Sequence, residues 1–279
     1  MQALRDIEVG VFYWAEPDAA AAMATLKAMD VRVCQLGVTG ELKLTPELAA
    51  AYRAAAAAEG IQIVTIFSAY EGEDYADIPT VVRTVGYIPH ATRAAREVRS
   101  REVIGFAAAI GVKSFGCHAG FLPGDHGDPD YIGVREVVRR VADYAAGYGM
   151  TFCLETGQEP APLLLRFFED AARPNLRINF DPANMVLYGS GEPIEAFKLL
   201  RRHVATIHGK DGDWPDPARP GSLGVERPLG QGSVNIPKFI QTVRESGYQG
   251  SIHVESGVHG EEQPVVYLGR AVNYLRSLL

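Results

Sequence analysis

A chain of 279 residues with 47% hydrophobic and 22% charged side chains can bury a large core, and this composition excludes an intrinsically disordered protein. The formal charge of -7 counts against a broad phosphate-binding face, because nucleic-acid binders displace counterions with clustered positive charge. The expected partner is a small molecule, with neither nucleic acid nor membrane involved.

Short β-branched or aromatic runs recur along the chain, each followed by an alanine- and leucine-rich stretch of helical length. The first, IEVGVFYW from Ile7, precedes a helix over 18–29, and VRVCQLGV from Val31 precedes one over 45–59 that starts at Thr45 and Pro46. IQIVTIFSAY from Ile61 leads, after a long connection, to a helix over 91–110. VKSFGCHAG from Val112 is followed by 130–148, MTFCLETGQ from Met150 by 161–172, and LRINFDPAN from Leu176 by 193–202. VATIHGKDG from Val204 leads to a helix over 237–247 behind Ile236 and Pro237, and GSIHVESG from Gly250 to one over 263–278. Gly60, Gly111 and Gly149 end helical runs as left-handed caps would.

Eight such units predict one (β/α)8 TIM barrel over 1–279. A doubly wound open sheet would more often have fewer strands and a glycine-rich turn after the first, and no GxGxxG follows the first run here. Two connections, 70–90 and 211–236, are longer than the rest. Both follow C-terminal strand ends, where barrel enzymes carry their sites, so they read as substrate-covering segments.

Cys34, Cys117 and Cys153 each lie in an apolar strand-like run, as buried free thiols in a reducing compartment do. The opening MQALRDIEVG has no basic stretch followed by an apolar one, and no run approaches the ~18–20 apolar residues of a membrane span. A cytoplasmic protein is expected, with monomer and homo-oligomer both open.

Strand alternation points to the chemistry. In FCLET, outward Phe152 and Leu154 place Glu155 at the barrel mouth. By the same rule Asp181, His208, Lys210, His253 and Glu255 face inward from the last three runs. Carboxylates converging in a partly desolvated cleft repel one another by several kcal/mol, and a divalent cation removes that repulsion. Glu155, Asp181, His208 and Glu255 are therefore the expected ligands of one divalent metal ion. An oxygen-rich set with one imidazole favours Mn²⁺, with Mg²⁺, Zn²⁺ and Co²⁺ also compatible.

LETGQ at 154–158, NFDPANM at 179–185, IHGKDG at 207–212, PLGQG at 228–232 and HVES at 253–256 together resemble the xylose-isomerase-like barrels. That family includes sugar-phosphate isomerases and epimerases, ketose 3-epimerases and related lyases. The resemblance implies the same four metal ligands, with Glu155 and Glu255 as catalytic acid/base residues on opposite faces of a ketose. It implies proton transfer through a metal-stabilised enediolate in a sugar isomerase or epimerase. A dehydratase of a keto-cyclitol or dehydroshikimate-like compound is the alternative, since it begins with the same proton abstraction.

Many relatives have His three residues after the aspartate of the sixth run, where this chain has Asn184. An amide can hold a substrate hydroxyl but cannot shuttle a proton, which fits the general sugar isomerase/epimerase branch. The change counts against an apurinic-site endonuclease, whose three-zinc cluster needs more histidines.

His118 has inward parity and Lys210 shares the face of His208, so both are expected to touch substrate, as is Gln158 just beyond Glu155. Trp14, with Phe12, ends the first run facing the mouth and offers a surface for a sugar ring. Arg227 reads as solvated surface. His90, His126, His203 and His259 receive no role.

Overall fold

In this computed structural model residues 7–258 and 260–279 are described; residues 1–6 and His259 lie outside the described residues. The barrel strands are β1 (Val9–Trp14), β2 (Val33–Val38), β3 (Gln62–Ser68), β4 (Ser114–Cys117), β5 (Thr151–Glu155), β6 (Leu176–Phe180), β7 (Val204–Gly209) and β10 (Ile252–Val254). All pair in parallel in chain order, and β10 closes on β1 through Val9 opposite Ile252, so the predicted eight-stranded barrel forms. The chain is a TIM barrel.

The helices are α1 (Ala19–Ala28), α2 (Pro46–Glu59), α3 (Ile78–Thr84), α4 (His90–Ile110), α5 (Pro129–Ala146), α6 (Ala161–Ala171), α7 (Pro182–Leu187), α8 (Pro193–Leu200), α9 (Ile236–Glu245) and α10 (Pro264–Leu278). Eight coincide with the helical stretches read from sequence. The other two, α3 and α7, are too short for a periodic pattern to announce them. Their starts are nevertheless local: Asp77 and Asp181 each accept a backbone N–H from the first turn, and proline occupies that turn in both. The 211–236 connection also has structure of its own, an antiparallel pair of β8 (Asp211–Asp213) and β9 (Val225–Arg227).

Outward strand residues supply the core. Phe152, Leu154, Ile178, Phe180, Ile207, Ile252 and Val254 are all fully buried against the helix ring. Phe180 stacks on Phe239 of α9 at 5.8 Å and meets Phe197 of α8 edge-on at 5.4 Å. Each such side chain contributes about 1.5–3 kcal/mol on burial, so the parity that puts Phe180 outward also fixes which residues face the barrel interior.

That interior is polar beneath the mouth. Gln35, Thr65, Asn179, Thr206 and His253 are buried there, where branched apolar layers are more usual. The parallel ladders shift register between Cys34 and Gln35 and between Ile178 and Asn179, at the two amides that support the site above. Thr65 Oγ1 and both ring nitrogens of His253 have no hydrogen-bond partner among the described residues. Burial, with the neighbouring His208 charge, pulls His253 down to about 3, so it is neutral.

Cys34, Cys117 and Cys153 are buried and unbridged. Among the described residues no helix is long and apolar enough to cross a membrane.

Candidate metal centre and substrate cavity

The C-terminal strand ends bring Glu155, Asp181, His208 and Glu255 together, with one potential ligand atom from each lying within 4.8 Å of the others. Opposite corners of an octahedron with ~2.1 Å bonds are about 4.2 Å apart, so little movement separates this cluster from a coordination shell. His208 Nδ1 lies 3.1 Å from Glu155 Oε1, 3.6 Å from Asp181 Oδ2 and 3.0 Å from Glu255 Oε2.

DPAN both starts a helix and builds the site. Asp181 caps α7, accepting the Asn184 N–H on Oδ1 at 3.0 Å, while its backbone N–H donates to Thr156 Oγ1 at 2.8 Å. Its Oδ2 is buried within the cluster without a hydrogen-bond partner among the described residues. His208 Nδ1 and Lys210 Nζ stand 3.6 and 3.7 Å from it, too far to hydrogen-bond, so this buried oxygen keeps a lone pair for a closer cation and the residues present fit a divalent ion.

The far side of His208 is set by the polar interior. His208 Nε2 is 2.8 Å from Gln35 Oε1 and 3.1 Å from Asn179 Nδ2; Asn179 Oδ1 in turn accepts from Gln35 Nε2 and Thr206 Oγ1. A proton on Nε2 donated to Gln35 leaves the Nδ1 lone pair pointing at the three carboxylates, the tautomer that a metal ligand needs.

Without an ion, protons balance the charge. Burial disfavours a charged His208, but the Glu155 and Glu255 carboxylates override it and hold the imidazole well above its usual value. Burial likewise pushes Glu255 up, yet Lys210 and His208 outweigh it and keep the carboxyl well below the usual range. Lys210 Nζ lies 3.1 Å from Glu255 Oε2 and 3.7 Å from Asp181 Oδ2, so its partner is Glu255, not Asp211 or Glu226.

A cavity of about 350 Å³ opens above the cluster, at the lower end of the range for small-molecule pockets. Glu155, Glu255, His118, Asn184, Lys210 and Trp14 all line it. The glutamate oxygens that face His208 Nδ1 are Glu155 Oε1 and Glu255 Oε2. Glu155 Oε2 lies 3.5 Å from His118 Nε2, and Asn184 Nδ2 donates to Glu155 Oε1 at 3.0 Å.

Gln158 does not line the cavity. It is 2% exposed, and its Nε2 lies 3.3 Å from His118 Nδ1, which places it behind the histidine. His253 lies below the cluster. Arg227 is paired with Asp213 at 2.6 Å, outside the cavity.

Several lining residues were not singled out in the sequence. Phe67, one residue before the end of β3, packs at 5.8 Å on Phe12 and on His118; the alternation applied to IQIVTIFS finds it. Tyr75, Tyr188 and Glu226 come from the long connections and from the end of α7, where no periodicity points inward.

Asp211 has a purely structural task. Its carboxylate accepts the N–H groups of Gly212, Gly230, Gly232 and Val234 at 2.9–3.1 Å, tying KDG to PLGQG. A Cβ on Gly232 would come 2.4 Å from Asp211 Oδ1, so only glycine lets the loop approach this closely.

A family model described as a xylose isomerase-like TIM barrel matches residues 20–278. A solved xylose isomerase domain protein from Planctomyces limnophilus is 40% identical, with 98% of this chain and 97% of that one covered and a TM-score of 0.91. Two further structures share the fold. D-psicose 3-epimerase from Clostridium cellulolyticum H10, solved with D-tagatose, is 15% identical over 98% of this chain and 99% of its own, with a TM-score of 0.72. The probable 3-DHS dehydratase of petrobactin synthesis from Bacillus anthracis is 16% identical over 96% and 98%, with a TM-score of 0.69. No curated protein matches the chain.

Proposed function

The chain belongs to the xylose isomerase-like TIM-barrel family, and from that premise we propose that it is a metal-dependent isomerase or epimerase of a ketose or related keto-sugar. One observation carries this reading: Glu155 and Glu255 stand in one cluster with Asp181 and His208, and both line the cavity. A divalent ion, best matched by Mn²⁺ or Mg²⁺, would be held by Glu155, Asp181, His208 and Glu255 and would supply Lewis acidity to adjacent carbonyl and hydroxyl oxygens of the sugar.

The chain's own residues handle the proton. Glu255, kept ionised by the neighbouring Lys210 ammonium, serves as a base toward the carbon next to the carbonyl. Glu155 has His118 beside its Oε2, a carboxyl–imidazole pair able to hold and return a proton, and the Gln158 amide behind His118 orients the ring. Asn184, which keeps Glu155 Oε1 in place, and Lys210 both line the cavity, which supports a reading in which substrate hydroxyls meet them. Trp14 and Phe12 form an apolar wall against which a sugar ring can lie.

The test is incubation of a ketose panel with the Mn²⁺-loaded protein in D₂O. Deuterium is expected at the carbon beside the carbonyl, with an isomeric sugar as product. Glu155→Gln and Glu255→Gln should each slow turnover by about 10²-fold or more while still binding the ion. Normal turnover in both variants would reduce the glutamates to ligands. Elimination of water from a keto-cyclitol, with no exchange into any ketose, would replace the isomerase with a lyase.

A further inference from the structure

A third carboxylate faces the cavity, and the proposed proton transfer does not use it. Glu226 stands at the centre of β9, opposite Gly212 in the β8–β9 pair, and lines the cavity beside Lys210 and Glu255. Its Oε1 accepts from Ser256 Oγ and from the Gly257 N–H, both at 2.8 Å, which fixes the carboxylate against the segment that follows Glu255. Its Oε2 has no hydrogen-bond partner among the described residues. A rigid, unengaged acceptor at a cavity wall is a ready position for a ligand hydroxyl.

The charge around it restricts that ligand. Lys210 is the one lysine or arginine lining the cavity among the described residues, and its ammonium is already held by Glu255, Asp181 and Asn184. With a divalent ion in place, Glu155, Asp181, Glu255 and Glu226 still outnumber the positive charge, so no cation is left to neutralise a phosphate or carboxylate. An anionic ligand near Glu226 would meet like charge in a partly desolvated cavity.

We propose that Glu226 is a specificity-determining residue: its free Oε2 accepts a hydrogen bond from a substrate hydroxyl, and its charge rejects phosphorylated or carboxylated analogues. The substrate is thus an uncharged keto-sugar. This inference rests on the isomerase reading of the same site, so binding and turnover are measured separately.

The experiment titrates the Mn²⁺-loaded wild type and Glu226→Gln with D-tagatose, D-fructose, D-psicose and L-sorbose and with the 6-phosphates of the first two. Calorimetry and the quenching of Trp14, which is 46% exposed at the cavity, report binding; deuterium exchange runs in parallel. Glutamine keeps an oxygen for Ser256 and Gly257, and equal thermal unfolding of the two proteins verifies that the segment stays tied. The wild type is expected to prefer the neutral sugars. In Glu226→Gln the best neutral sugar binds about tenfold or more weakly, the loss of a charged hydrogen bond, while the phosphate-to-neutral ratio rises at least as much. A wild type that prefers a phosphorylated sugar, or a variant with an unchanged ratio, overturns the inference about Glu226. A neutral sugar that binds with the expected dependence on Glu226 but exchanges no deuterium overturns the isomerase reading and leaves this one standing. If no neutral ketose binds, both fall.

Discussion

Replacing Asp211 with alanine removes one acceptor group that four backbone N–H groups share. A hydrogen bond to a charged acceptor is worth roughly 1.5–3 kcal/mol, but the four do not simply add, because water can reach some of the orphaned donors. Gly230 is exposed and Gly232 half-buried, whereas Gly212 and Val234 are buried, so those last two set the cost. Asp211→Ala should destabilise the metal-free protein by about 3–6 kcal/mol in urea unfolding. Asp211→Asn is isosteric yet turns an NH₂ toward two donors, and should lose about half as much. The loss is local in origin, so hydrogen exchange should accelerate first at 228–234 and in the adjoining β8–β9 pair that carries Glu226. A loss below about 1 kcal/mol with unchanged exchange over 228–234 would refute this account of the loop.

Metal uptake should release protons. The Glu155 and Glu255 carboxylates hold His208 well above its usual value, so near neutrality the imidazole carries a proton that an ion at Nδ1 must displace. About one proton should leave per ion, and affinity should fall about tenfold per pH unit below the His208 pKa of the metal-free protein; calorimetry in buffers of different ionisation heat reads both, and zero release would exclude His208 as ligand. Asp181→Asn and His208→Ala should weaken metal binding while His90→Ala and His203→Ala leave it unchanged; equal losses would mean that strand parity picked the wrong groups. His253 is pulled from 6.5 to about 3 by burial, so below about 6.5 the unfolded chain takes up a proton that the folded one refuses, and stability falls with pH until about 3. Between pH 7 and 5 this removes about 2 kcal/mol in urea unfolding, and His253→Leu should flatten that part of the profile. His208, held above its usual value, gains stability as pH falls, so the difference between the two profiles is the readout: equal slopes in wild type and His253→Leu over this range would show that His253 is not buried neutral.

The barrel was legible because its signals are local. Side chains alternate with a period of two along a strand, so outward Phe152, Leu154, Ile178 and Phe180 by themselves assign Glu155 and Asp181 to the interior, and eight repetitions leave one closed architecture. The cluster of Glu155, Asp181, His208 and Glu255 followed for the same reason. Helices α3 and α7 and the β8–β9 pair escaped because six or seven residues are too few for a helical period and three too few for an alternation, although the capping aspartates were visible at Asp77 and Asp181. Only the tertiary structure could decide how parity divides into depth: His253 and His208 pair in register on β10 and β7, yet His208 joins the carboxylate cluster while His253 is buried without a hydrogen-bond partner among the described residues. It also decided that Gln158 stands behind His118 and that Asp211 serves a loop. Glu226 reaches the cavity by way of a connection that crosses the mouth. Where such a crossing lands depends on contacts between residues far apart in the chain, such as Glu226 with Ser256 and Asp211 with Gly232, and no local period encodes them.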